Sequence, residues 1–120
     1  MNIPIEEQLD AYTTWKTPEL LVRYGIDWEH VDCRQFFTFN RNQLVEHLKK
    51  HPDYVDSYLA RSLELRGIYD KEILEHENGH YVLYWQDHAS RRDEHFYANR
   101  FEAAADWLTT QYGMWLYEEI

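Results

Sequence analysis

The sequence predicts an α+β fold: helices first, then a three-stranded antiparallel meander, then a final helix packed on the sheet. Three observations carry this prediction. Apolar residues recur at helical spacing before residue 67 and after residue 100, but alternate between those limits in the manner of strands. Asn78-Gly79 stands between two strand-like runs, and Asn-Gly is the strongest short signal for a tight antiparallel turn. Asn99, three residues ahead of Glu102, then marks the start of a helix. With 120 residues and no repeat, linker or low-complexity tract, the chain reads as a single globular domain, residues 1–120, long enough to bury a core.

Each element has its own warrant. Ile5, Leu9, Tyr12 and Trp15 place a helix over residues 5–15. Thr17-Pro18-Glu19 reads as an N-cap with proline at the first helical position, opening a short helix through Tyr24 that stops at Gly25. "DCRQFFTF", residues 32–39, fits either a strand or an irregular apolar segment. Asn40 and Gln43 have the spacing of a capping box, so a helix is expected over residues 41–50. Pro52 interrupts it. Asp53 is placed to cap a next helix over 54–66, with Val55, Leu59, Ser62 and Leu63 at helical spacing and Gly67 at its left-handed exit.

Residues 71–77 and 80–86 are expected to pair around Asn78-Gly79, residues 87–92 to form a polar connection, and 94–98 to add the third strand. The final helix carries Phe101, Ala104, Ala105, Leu108 and Tyr112 as its apolar stripe. It ends near Gly113, with "MWLYEEI" packing back as a tail.

Within 73–85, "ILEHENGHYVLYW", lies His76-Glu77-Asn78-Gly79-His80, a literal H-E-x-x-H. That pattern binds zinc only on a helix, where the i, i+4 spacing puts both imidazoles on one side. A two-residue turn instead puts Glu77 opposite His80, and His76 and His80 on opposite sheet faces, where they cannot share an ion. His47 and His51 are also four apart, but Pro52 follows at once and no third ligand is near in sequence. The seven histidines therefore read as surface or capping residues. No G-x-S-x-G elbow or glycine-rich phosphate loop is present, and Cys33, the one cysteine, sits in no catalytic signature. Catalytic residues, metal ligands and cofactors are all expected to be absent. A small metal-dependent hydrolase using His76, Glu77 and His80 is the remaining enzymatic alternative.

Charge supplies the positive indication. With 12 basic and 22 acidic residues, the formal net charge is −10, which disfavours nucleic acid and anionic membranes and favours a basic protein partner. The acidic N-terminus lacks the basic-then-apolar pattern of a secretion signal, and no apolar run reaches membrane-spanning length, so a cytoplasmic location is expected.

Alternation assigns Leu74, His76, Tyr81, Leu83 and Trp85, joined by Phe96 and Ala98, to the face packed on the final helix. Ile73, Glu75, Glu77, His80, Val82, Tyr84 and Gln86, with His95 and Tyr97, take the other. Acids mixed with tyrosines suit recognition of a basic surface. The expected contact residues are Glu75, Glu77, Tyr84 and Tyr97 on that outer face, extended by Asp87, Asp93 and Glu94 around the connecting loop.

From residue 69 onward, "YVLYW" after the Asn-Gly turn, "SRRDEHFY" and the capped "NRFEAAADWL" resemble, in their layout, the C-terminal half of small bacterial immunity proteins of polymorphic-toxin and contact-dependent inhibition systems. The resemblance covers less than half of the chain. It implies a non-enzymatic, acidic, cytoplasmic protein that binds over the active site of a cognate toxin, with a nuclease as the leading case. A phage-encoded acidic decoy that imitates nucleic-acid phosphates is the alternative within binding proteins. That reading expects acids in rows, whereas here they are dispersed and many adjoin basic residues.

Overall fold

The computed structural model describes residues 3–27, 29, 33–67, 70–88 and 90–113. Helices α1 (Ile5–Thr13), α2 (Thr17–Arg23), α3 (Arg41–Lys50) and α4 (Pro52–Leu65) precede strands β1 (Lys71–Glu77), β2 (His80–Asp87) and β3 (Ser90–Tyr97), and α5 (Arg100–Tyr112) closes the order. The sheet runs β1-β2-β3 with antiparallel neighbours, and α5 packs on it, so the α+β architecture is the one the sequence predicts. A single 3-10 turn, Cys33–Phe36, occupies the aromatic segment that could have been a strand. Asp32 and the tail 114–120 lie outside the described residues.

Helix boundaries follow local chemistry more closely at some ends than at others. Asn40 and Gln43 form a reciprocal capping box at α3, and the Asn99 side chain accepts from the backbone N–H groups of Phe101 and Glu102 at α5. By contrast, α4 begins at Pro52, a proline tolerated because first-turn N–H groups have no helical partner, so Asp53 lies inside the first turn and caps nothing. Thr17 likewise sits inside α2, with Lys16 at the cap position.

The first helix stops earlier than its apolar spacing suggests. Trp15 adopts φ 61°, and Lys16 N–H reaches back to the Ala11 carbonyl at 2.8 Å. That six-residue closure is a Schellman turn with tryptophan in the left-handed position usually held by glycine. Two tyrosines satisfy carbonyls left over at this end: Tyr112 Oη donates to Tyr12 O at 2.6 Å, and Tyr58 Oη donates to Thr13 O.

One core joins the helical half to the sheet. Leu9 and Tyr12 of α1, Leu44 and Leu48 of α3, Val55 and Tyr58 of α4, Leu74 and Leu83 of the sheet, and Ala104, Trp107 and Leu108 of α5 are buried together. Tyr12 stacks on Tyr112 at 4.0 Å and meets Phe37 and Phe39 edge-on. The alanines of α5 admit the close approach of α3 and the sheet, a spacing that larger side chains would forbid.

Edge strand β1 is guarded by side chains. Ser62 Oγ accepts from Leu74 N–H at 3.1 Å, and Trp107 Nε1 donates to Glu72 O at 3.2 Å. Two outward backbone groups that would otherwise invite another strand are thereby occupied.

β1 and β2 meet through Asn78 and Gly79, with φ 51° and 79°, and Glu77 faces His80. Positive φ at both positions is what a type I′ turn requires. The third strand is longer than expected, since β2 runs on to Asp87 and β3 already starts at Ser90. It also changes phase. Between the pairs Leu83↔His95 and Trp85↔Arg92, β3 advances three residues while β2 advances two, and Asp93 in this bulge has φ 53°. Phe96 therefore pairs with Val82 and belongs to the outer face, while His95 and Tyr97 pair with Leu83 and Tyr81 on the helix side. That is the reverse of the assignment made from alternation.

Candidate protein-binding face

The outer face holds a small apolar patch under a charged roof. Ile73, Val82 and Tyr84 are buried there against Leu65 at the end of α4. Above them Glu75, only 12% exposed at its side chain, accepts from Tyr84 Oη and from Arg66. Arg91 donates two hydrogen bonds of 3.1 Å to Glu77, reaches Glu94 with Nε at 2.8 Å, and lies 4.2 Å from the centre of the Tyr84 ring. This bidentate pairing holds the Glu77 carboxyl below its ordinary pKa. Tyr84 is pushed upward, first by burial and then by the Glu75 carboxylate it bonds. A depression of about 310 Å³ opens among Arg66, Glu75, Glu77, Tyr84 and Arg91.

Three expected contact residues, Glu75, Glu77 and Tyr84, converge here, with Glu94 joined to them through Arg91. The other three do not. Asp87 closes β2 on the opposite face and pairs with Arg92 at 2.9 Å. Asp93 is the exposed bulge residue, close enough to Glu72 to raise that carboxyl further, although burial is the larger cause and His95 opposes it. Tyr97, expected on the outer face, lies on the inner one, where its hydroxyl donates to Asp106 of α5 at 2.7 Å. The bulge at Asp93 is the cause of that correction.

Three features were not visible in the sequence. Phe96 stands on the outer face with 58% of its surface exposed, edge-on to His80 at 5.2 Å. Arg66 and Arg91 neutralise the acids that alternation had offered as free. A groove of about 620 Å³ on the helical side was missed altogether; Trp15, Tyr54, Tyr58 and Trp107 wall it, with Arg61 and Lys71 at the rim. The left-handed Trp15 is 48% exposed there and stacks on Tyr112 at 5.1 Å. Its sequence signal, an aromatic residue just past a helix end, is too common to read.

No protein-family model, curated protein or solved structure matches the chain.

The turn at Asn78-Gly79 separates the two histidines of the H-E-x-x-H segment. His76 stacks on Tyr81 at 4.4 Å on the helix side, while His80 meets Phe96 on the outer side. Their rings do not converge, as the turn requires. Among the described residues no helix is long and apolar enough to cross a membrane.

Proposed function

We propose that this chain is a cytoplasmic, non-enzymatic binding protein that neutralises a basic partner by covering it, in the manner of an immunity protein over its cognate toxin. A nuclease, whose substrate groove is basic, is the leading partner. One observation carries the reading: exposed Phe96 shares its sheet face with carboxylates already held in place by Tyr84, Arg66 and Arg91. An aromatic anchor beside ordered acids is the anatomy of an interface centre. Acids fixed before association lose little conformational freedom on binding. The same pairing argues against the phosphate-mimicking decoy, because carboxylates matched to guanidinium groups do not form a row of bare charge. The remaining net charge of −10 favours fast encounter with a basic surface.

The aromatic groove favours a second reading of the same class, in which the partner inserts a side chain beside Trp15 rather than capping the sheet. Co-expression with the product of the neighbouring gene tests the shared premise. Co-purification and rescue of growth support it, and failure of both rejects it. Loss of binding in Phe96→Ala but not in Trp15→Gly selects the sheet face.

A further inference from the structure

Away from the sheet, helices α1 and α3 cross with four ligand-type side chains turned toward one another. Glu6 and Asp10 lie one turn apart on α1, and His47 and the capping residue His51 one turn apart on α3. His47 is only 2% exposed, yet neither of its ring nitrogens has a hydrogen bond. Nε2 stands 3.3 Å from Asp10 Oδ1, and Nδ1 stands 3.5 Å from Glu6 Oε1. The His51 ring centre is 4.8 Å from that of His47 and rests on Tyr54 at 4.6 Å. Single ligand atoms of Asp10, His47 and His51 all fall within 4.8 Å of one another.

A buried imidazole that faces two carboxylates at 3.3 and 3.5 Å yet makes a hydrogen bond to neither is uncommon. We propose that Asp10, His47 and His51 bind a divalent first-row transition ion of the zinc class, with Glu6 orienting His47 from its other nitrogen. Imidazole donors select such ions over magnesium and calcium, which take oxygen ligands. Donors around one tetrahedral ion stand about 3.3–3.5 Å apart. The His47–Asp10 pair already has that spacing, and half-buried His51 needs to swing inward by roughly 1 Å. Helical i, i+4 spacing, which residues 76–80 forfeit by turning, is supplied by His47-Leu48-Lys49-Lys50-His51. A carboxylate on the ligating histidine's far nitrogen is the usual means of fixing its tautomer. Three protein donors leave room for water, so the site is open, and it clips α1 to the α3–α4 junction. It is independent of the sheet face.

Titration of the metal-stripped full chain with Co²⁺, followed by visible absorption, tests the site directly. One equivalent should give a ligand-field band that Zn²⁺ displaces, and Zn²⁺ should raise the thermal midpoint. Asp10→Asn changes an exposed side chain and His51→Ala a half-buried one stacked on Tyr54; each, once shown by circular dichroism to be folded, should weaken Zn²⁺ binding by at least about tenfold. Glu6→Gln should weaken it by about tenfold, and His76→Ala and His80→Ala not at all. Absence of a saturable band, or wild-type affinity in both Asp10→Asn and His51→Ala, would overturn the proposal.

Discussion

Tyr97 donates its hydroxyl to Asp106 at 2.7 Å, and Arg41 grips the same carboxylate from α3 at 2.8 and 3.2 Å. Strand, last helix and third helix thus meet at one half-buried carboxylate. Removing only the tyrosine hydroxyl, in Tyr97→Phe, leaves the ion pair and should cost about 1–2 kcal/mol. Asp106→Ala removes the closest carboxylate from a largely buried guanidinium, leaving it Glu102 at 3.8 Å, and should cost more, about 2–3 kcal/mol. Urea midpoints of the two variants give the comparison; equal losses would contradict it.

The backbone at Trp15 offers a separable test. A non-glycine residue held left-handed is strained by about 1–2 kcal/mol. Trp15→Ala loses the ring stacking and keeps most of the strain, whereas Trp15→Gly loses the stacking and relieves it. The glycine variant should therefore be more stable than the alanine variant by about 1 kcal/mol in chemical denaturation. The opposite order would mean that the Schellman turn does not persist in solution.

How much of this was legible in the sequence depended on the range of the interaction. Capping at Asn40 and Asn99 and the turn at Asn78-Gly79 are set by residues a few positions apart, and they appear where the sequence places them. Phe96 and Tyr97 exchanged faces because alternation assumes an unbroken strand, and nothing in "SRRDEH" marks Asp93 as the bulge. Arg66 and Arg91 reach their acids across the fold, and Asp10 reaches His47 across a helix crossing. Spacing within a motif cannot register partners of that kind.

Glu75 shows the consequence for mutagenesis. Read as a surface acid, it should accept charge reversal without loss of folding. Largely covered, and bonded to both Tyr84 and Arg66, it should not. Glu75→Lys places a cation against Arg66 and removes the acceptor for Tyr84, so a loss of about 2–4 kcal/mol is expected. Glu75→Gln keeps an acceptor and should lose less than half as much. Reversal without a measurable stability change would show that the charged roof is not formed.

Acid sensitivity follows from Glu77. Its folded pKa lies below the unfolded value because Arg91 bonds the charged form, so the stabilisation is complete above the usual carboxylate range. It is lost as pH falls through the lower, folded pKa. Glu72, raised chiefly by burial, acts in the opposite direction, so the difference between wild type and Arg91→Gln separates the contribution that depends on Arg91 from that of Glu72. Urea midpoints from neutral pH to about pH 3 should fall more steeply for wild type than for Arg91→Gln. Parallel profiles would remove Arg91 from that role.

If the outer sheet face binds a basic protein, one affinity series shows it. The co-purified neighbouring gene product would be titrated calorimetrically with wild type, Phe96→Ala, Glu94→Lys and Trp15→Gly, each first shown to be folded. Loss of a central aromatic anchor should weaken binding by about tenfold or more, and reversal of Glu94 at the rim should mainly slow association. Trp15→Gly should bind as wild type does. Unchanged affinity in Phe96→Ala, with binding abolished in Trp15→Gly, would move the interface to the aromatic groove and contradict the account.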